Sequence, residues 1–310
     1  MRKAFHYLLV LFAVLTITSC GKESKHKKHS PAPSSVNAAV WVWASDMPGL
    51  VDNDAAGLKA IKAKGYSHIF LSEYVFDLYA PDMVRGYIGK CKENGLAVFV
   101  DMQALYGDDG WINPVKADGS LNYTAIDNFT YRAEHYVNGY GVSGIVMDNL
   151  RFPGTAYGTR GATSAITLFC QHVHIVSQDV LKVPLAVTLM PEKDNNARYY
   201  GQDTKELSKY AEILIPLLYR GNYNTGRGWY APTLEWYLNE LDPSSSCEIW
   251  PAICSFVSDA DDTPLTEEEM RLDLAALAEA DIDGFSIFRY GIGTLPSLKG
   301  IKLNNNWWWK

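Results

Sequence analysis

The chain has 310 residues, 47% of them hydrophobic and 20% charged, with a formal net charge of −7. That balance suits a globular protein with a large core and argues against a nucleic-acid partner, because phosphate backbones are met by basic faces. Nine Trp and nineteen Tyr fit sugar stacking, core filling or interfaces equally well, and composition alone does not separate these uses.

The first feature in chain order is a basic start at Met1, Arg2 and Lys3, followed by the apolar run LLVLFAVLTI at residues 8–17. This run is too short to span a bilayer and has the length of a signal-peptide core. It ends in Ile17-Thr18-Ser19-Cys20, which resembles a bacterial lipobox, whose Cys is lipidated and becomes the new N-terminus. Residues 1–20 therefore read as a lipoprotein signal peptide with Cys20 as the lipidation site. Residues 21–37, charged and then Pro/Ser-rich, read as a flexible tether, and residues 38–310 as one folded domain. The expected location is the exported side of a bacterial envelope, with membrane contact through the lipid. His26 and His29 lie among lysines in the tether and read as part of a solvated linker.

From Ala38 onward, apolar β-rich runs alternate with helical patterns. Strands are predicted at residues 39–44, 68–74, 97–103, 144–148, 185–190, 212–219, 248–256 and 284–289. Most are nearly continuous apolar runs, as in parallel strands covered on both faces. Pro216 and Pro251 weaken two of them, since proline cannot donate to a ladder. Helices are predicted at 54–64, 81–94, 123–137, 162–181, 204–211, 232–241 and 266–280. Gly65 and Gly95 serve as stops, and Thr266 with Glu269 has capping-box spacing. Eight strands with seven helices predict an α/β fold, a single (β/α)8 TIM barrel with an incomplete last helix. An open doubly wound sheet is the alternative, although no glycine-rich phosphate fingerprint follows the first strand.

Four cysteines remain in the domain: Cys91, Cys170, Cys247 and Cys254. The last two flank one predicted strand and, if it is extended, lie roughly 23 Å apart, too far for a disulfide. All four are expected to be buried thiols.

In a barrel, the C-terminal ends of the strands converge on one mouth. Those ends carry Trp43, Glu73, Asp101, Asp148, Arg151, Glu192, Tyr219, Arg220, Arg289 and Tyr290. Acids end four successive strands, and acids near a core need a function or a partner. Glycoside hydrolysis uses two carboxyl groups, one protonating the leaving oxygen and the other attacking the sugar carbon or activating water. Asp148 follows a buried run, and Glu192 ends the next strand. Adjacent strands lie about 4.8 Å apart, which suits a retaining pair. Asp148 is the expected nucleophile and Glu192 the expected general acid/base, with Arg151 keeping Asp148 ionised. An inverting pair using Asp101 or Glu73 stays open. Asp148 as a helix cap or partner of Arg151, and Glu192 in a polar loop, are the structural alternatives. Trp41 and Trp43 alternate with Val40 and Val42, so one parity faces the pocket and the other packs the core. Trp111, Trp229 and Tyr230 are sugar-stacking candidates in mouth-side loops. His172 and His174 do not share a helix face and form no metal pair.

The segment Gly144-Ile145-Val146-Met147-Asp148-Asn149-Leu150-Arg151-Phe152-Pro153 resembles the fourth-strand signature of a family of glycoside-hydrolase-like barrels from bacterial and archaeal cell envelopes. Val40-Trp41-Val42-Trp43, Leu189-Met190-Pro191-Glu192 and Gly284-Phe285-Ser286-Ile287-Phe288-Arg289-Tyr290-Gly291 are similar to the same group, so the likeness runs from about Ala38 to Gly291. It implies a TIM barrel with catalytic acids after strands four and five, matching Asp148 and Glu192. Unlike many other retaining barrels, this chain ends its seventh strand without an acid, which excludes a strand-four/strand-seven glutamate pair.

The expected activity is a glycosidase acting on an envelope or environmental polysaccharide, with no cofactor and no metal. Trp43, Glu73, Asp101, Arg151, Tyr219, Trp229, Arg289 and Tyr290 are its expected substrate contacts. A non-catalytic carbohydrate-binding lipoprotein on the same barrel is the alternative. A metal-dependent hydrolase using Glu73, Asp101 and Asp148 is a weaker third reading, because no histidine reaches a strand end.

Overall fold

The computed structural model describes residues 37–300. The proposed signal peptide, Cys20, most of the tether and the Trp-rich tail lie outside the described residues. The main sheet contains β1 (Asn37–Val42), β2 (His68–Ser72), β3 (Ala97–Gln103), β4 (Gly144–Asp148), β5 (Leu185–Leu189), β6 (Ile213–Pro216), β7 (Glu248–Ile249), β8 (Ala252–Cys254) and β9 (Gly284–Phe288). Its order is β8-β9-β1-β2-β3-β4-β5-β6-β7, with every ladder parallel. β7 and β8 are halves of one strand interrupted at Trp250-Pro251, so the two ends of the sheet meet and the barrel closes. Hydrogen bonds cross the break: Trp250 N donates to Leu214 O at 3.0 Å, and Ser286 N donates to Pro251 O at 2.8 Å. The prolines act as the sequence suggests, Pro216 ending β6 and Pro251 breaking the seventh strand position.

The outer layer contains α1 (Met47–Ala63), α2 (Pro81–Glu93), α3 (Tyr123–Tyr140), α4 (Ala162–Ile175), α5 (Thr204–Leu207), α6 (Tyr230–Glu240) and α7 (Glu267–Leu277). The backbone leaves helical geometry at Asp52–Ala55, so α1 is two helical pieces joined by a kink. The Thr266–Glu269 capping box forms in both directions. Gly65 and Gly95 follow their helices with φ of +105° and +69°, where a side chain would be strained. No helix follows β9 among the described residues. Leu295 and Leu298 are buried there instead, and Leu298 N donates to Lys64 O at 2.8 Å.

Strand alternation sorts the core into two shells. Ala39, Trp41, Phe70, Phe99, Val146, Ala186, Ile215 and Trp250 fill the lumen. Ala38, Val40 and Val42 pack outward with the helices. Trp41 and Trp43 share the inward parity: Trp41 is buried in the lumen, donating Nε1–H to Ser286 Oγ at 3.0 Å, and Trp43 emerges at the mouth. The four domain cysteines are buried free thiols.

Candidate active site at the barrel mouth

β4 begins with a glycine because a Cβ on Gly144 would lie 2.6 Å from the Phe99 ring on β3. Three more buried residues then carry the strand to Asp148, whose parity with Val146 turns it inward. Asp148 is held by neutral donors from three places. Thr188 Oγ1 on β5 donates to Oδ1 at 2.8 Å. Gln103 Nε2 on β3 and Asn149 Nδ2 donate to Oδ2 at 3.2 Å and 3.3 Å. Asn149 has φ +52°, a left-handed conformation that asparagine tolerates better than most residues, and its amide also donates to Gln103 Oε1 at 2.6 Å.

Asp148 borders a cavity of about 390 Å³ whose wall includes Trp43, Ser72, Asp101, Gln103 and Phe288. Asp101 lies two residues before Gln103 on the inward face of β3, deeper in the barrel. Its Oδ1 is sealed from solvent and has no hydrogen-bond partner among the described residues. Burial, with the charges of Asp148 and Glu73 added, holds its carboxyl well above the usual carboxylate range. The cavity thus joins Asp148, held by three hydrogen bonds, to a deeper acid that favours its protonated form.

Glu192 sits beyond β5 in a second cluster. Its Oε1 accepts from Tyr200 Oη at 2.6 Å and from Tyr223 Oη at 3.4 Å, and Trp229 stacks on Tyr223 with centroids 5.3 Å apart. Burial and the bond to Glu192 push the Tyr200 phenol up to about 12, and burial also raises Tyr223. Arg151 lies 4.4 Å over the Trp111 ring and 5.6 Å from the Tyr200 ring. Burial lowers its pKa, while Asp148, Tyr200, Tyr223 and Glu192 act in the opposite direction. Arg151 therefore senses both acids electrostatically. It forms an ion pair with neither among the described residues. The neutral trio holds Asp148 directly, and Arg151, its expected electrostatic partner, acts on it through space.

The other predicted contacts are spread around the mouth. Glu73 is buried, pairs with Arg132 and accepts from Gln103 N at 2.8 Å, so both its oxygens are engaged. Arg289 stacks 3.9 Å over Trp43 and meets Asp46 at 3.3 Å. Tyr219 stacks on Phe288 inside the mouth, where Asp148 and Asp101 contribute to raising its phenol pKa after burial and Cys254. Tyr290 is half-buried against the outer core. Arg220 turns away to buried Asp273 at 3.2 Å. No three His, Cys, Asp or Glu side chains group as metal ligands among the described residues. Sequence reading missed Gln103, Thr188, Tyr200 and Tyr223. Thr188 had a signal, a lone polar residue in an apolar strand; Gln103 had another, sharing parity with Asp101.

No protein-family model matches the chain, and no curated protein matches it in sequence. Solved structures do match in fold. A class V chitinase from Pseudomonas fluorescens Pf-5 aligns at TM-score 0.60 and 13% identity, covering 84% of this chain and 96% of that one. The spore cortex-lytic enzyme SleL from Bacillus megaterium aligns at TM-score 0.57 and 14% identity, covering 84% and 72%. A chitinase from Rhizomucor miehei aligns at TM-score 0.56 and 12% identity, covering 83% and 95%. At these identities the likeness is one of fold, a barrel shared with glycoside hydrolases.

Proposed function

We propose that the chain is a retaining glycoside hydrolase acting on a cell-envelope or environmental polysaccharide, tethered to a bacterial envelope through a lipid on Cys20. The observation that carries this reading is Asp148, fixed by Thr188, Gln103 and Asn149 at the edge of a mouth cavity. Asp148 attacks the anomeric carbon as Glu192 protonates the departing glycosidic oxygen. Glu192 then takes a proton from water, whose oxygen displaces Asp148 and releases the sugar. The fold shared with chitinases and a spore cortex-lytic enzyme supports glycoside hydrolysis as the general class of reaction.

One observation favours a second assignment. Asp101 shares the cavity with Asp148, whereas Glu192 is absent from its wall. A protonated Asp101 serving as general acid, with Asp148 as base for water, gives an inverting reaction.

The test is hydrolysis of a polysaccharide and peptidoglycan panel by the protein and its Asp148→Asn, Glu192→Gln and Asp101→Asn variants, with the product anomer read by NMR. Retention, with product formation lost in Asp148→Asn and Glu192→Gln, supports the first assignment. Inversion, with loss in Asp101→Asn and none in Glu192→Gln, moves the acid to Asp101. Equal glycan binding by all forms without product leaves a carbohydrate-binding barrel.

A further inference from the structure

A second cavity of about 520 Å³ adjoins the first, and Tyr74 and Gln103 line both. It runs between the segments after β2 and β3 and the N-terminal half of α3. Thr124, Asn128 and Arg132 follow one another at four-residue spacing on α3 and present a polar stripe to it. Across from that stripe, Tyr74 and Tyr106 are about half exposed, at 51% and 43%. Polar donors facing open aromatic rings are what a hydroxyl-rich ring needs for simultaneous hydrogen bonding and stacking.

The charges restrict which sugar fits. Glu73, Asp77 and Asp108 line the groove against a single guanidinium, Arg132, which is already paired with Glu73. Asp77 and Asp108 make no ion pair among the described residues. A uronate or sulfated chain would be repelled there, while a neutral or amino-bearing chain would not.

We infer that this groove holds the arm of the polysaccharide next to the cleaved bond, so that the protein acts within chains of neutral or amino sugars. This rests on the glycosidase reading for its cleavage half alone, since the binding half can be measured without turnover. The experiment uses the full chain carrying Asp148→Asn, and measures calorimetric affinity for dimers and hexamers of β-1,4-linked glucose, mannose, N-acetylglucosamine and glucosamine, with hexagalacturonate as the polyanion. At least one neutral or amino hexamer is expected to bind about tenfold tighter than its dimer. Adding Tyr106→Ala or Asn128→Ala is expected to abolish that gain and leave dimer binding unchanged. Absence of a length-dependent gain across the panel overturns the inference, as does a gain that survives both substitutions or hexagalacturonate binding as tightly as the best neutral chain. A groove-dependent gain in a protein that cleaves none of these chains keeps the binding site and removes the hydrolase reading.

Discussion

The Thr188 hydroxyl on β5 donates to Asp148 Oδ1 on β4 at 2.8 Å, joining two neighbouring strands at the level where the lumen opens. Thr188 is 3% exposed, so no water can readily replace that donor. A hydrogen bond to a charged group contributes about 1.5–3 kcal/mol. Thr188→Val keeps the shape and removes the donor. Its kcat/KM on the best substrate is expected to fall about tenfold or more, with a thermal midpoint lower than the parent's by a few degrees. Unchanged turnover would show that Thr188 does not orient a working carboxylate.

Asp101 gives a pH signature without any substrate. Its native pKa is raised, so on going up in pH the unfolded chain loses this proton first, from about pH 4. The native state is therefore progressively disfavoured as pH rises until the buried carboxyl itself titrates. Asp101→Asn has no such proton to lose. Its stability relative to the parent is expected to increase between pH 4 and pH 8 in denaturant titrations. Parallel stability curves would show that burial does not hold the proton on Asp101.

His68 titrates with the opposite sign. At the base of the lumen it packs edge-on against Phe99 and Trp250, and burial, with Lys62 nearby, lowers its pKa to about 4. In the unfolded chain it titrates near 6.5. Stability from the neutral ring is complete above that value and is lost as pH falls toward the native pKa, by about 3 kcal/mol in all. His68→Gln is expected to be less stable than the parent at pH 7.5 and to lack this acid-side decline. Unfolding curves at pH 4, 5, 6.5 and 7.5 measure it, and equal declines would contradict the assignment.

Gly221 tests the loop after β6. A Cβ there would lie 1.7 Å from Val257 O, a backbone atom with little room to yield. Gly221→Ala is expected to cost about 2 kcal/mol or more. It also displaces Tyr223, two residues on, from Glu192. A fully stable Gly221→Ala protein would mean that the loop can separate from the Val257 segment.

The barrel itself was legible in the sequence. Eight β-rich segments recur between helical ones, most of them too apolar to face water on either side, and such strands are stable where helices cover one face and a filled lumen the other. The positions of Asp148 and Asp101 followed from the same logic, since strand parity and strand ends are local properties. The lack of a helix between β9 and residue 300 also follows from the sequence, where only a short polar and Trp-rich stretch comes after Gly291.

What only the tertiary structure decided is which strand-end groups meet. Glu73, Asp101 and Asp148 read alike along the chain. Long-range packing separates them, giving Glu73 to Arg132 from α3, Asp148 to the amides and hydroxyl of its neighbours, and Asp101 to the cavity wall with one oxygen sealed and unpartnered among the described residues. Arg220 and Arg151 were likewise indistinguishable until Asp273 of α7 drew one away and Trp111 stacked under the other. Sequence spacing specifies the strand and face of a side chain, but the partner that fixes its charge and direction comes from segments 30 to 60 residues distant, as the gaps of 59 between Glu73 and Arg132 and 53 between Arg220 and Asp273 show. No local pattern encodes those meetings, because they arise only when closure of the barrel brings the loops of different strands to one mouth.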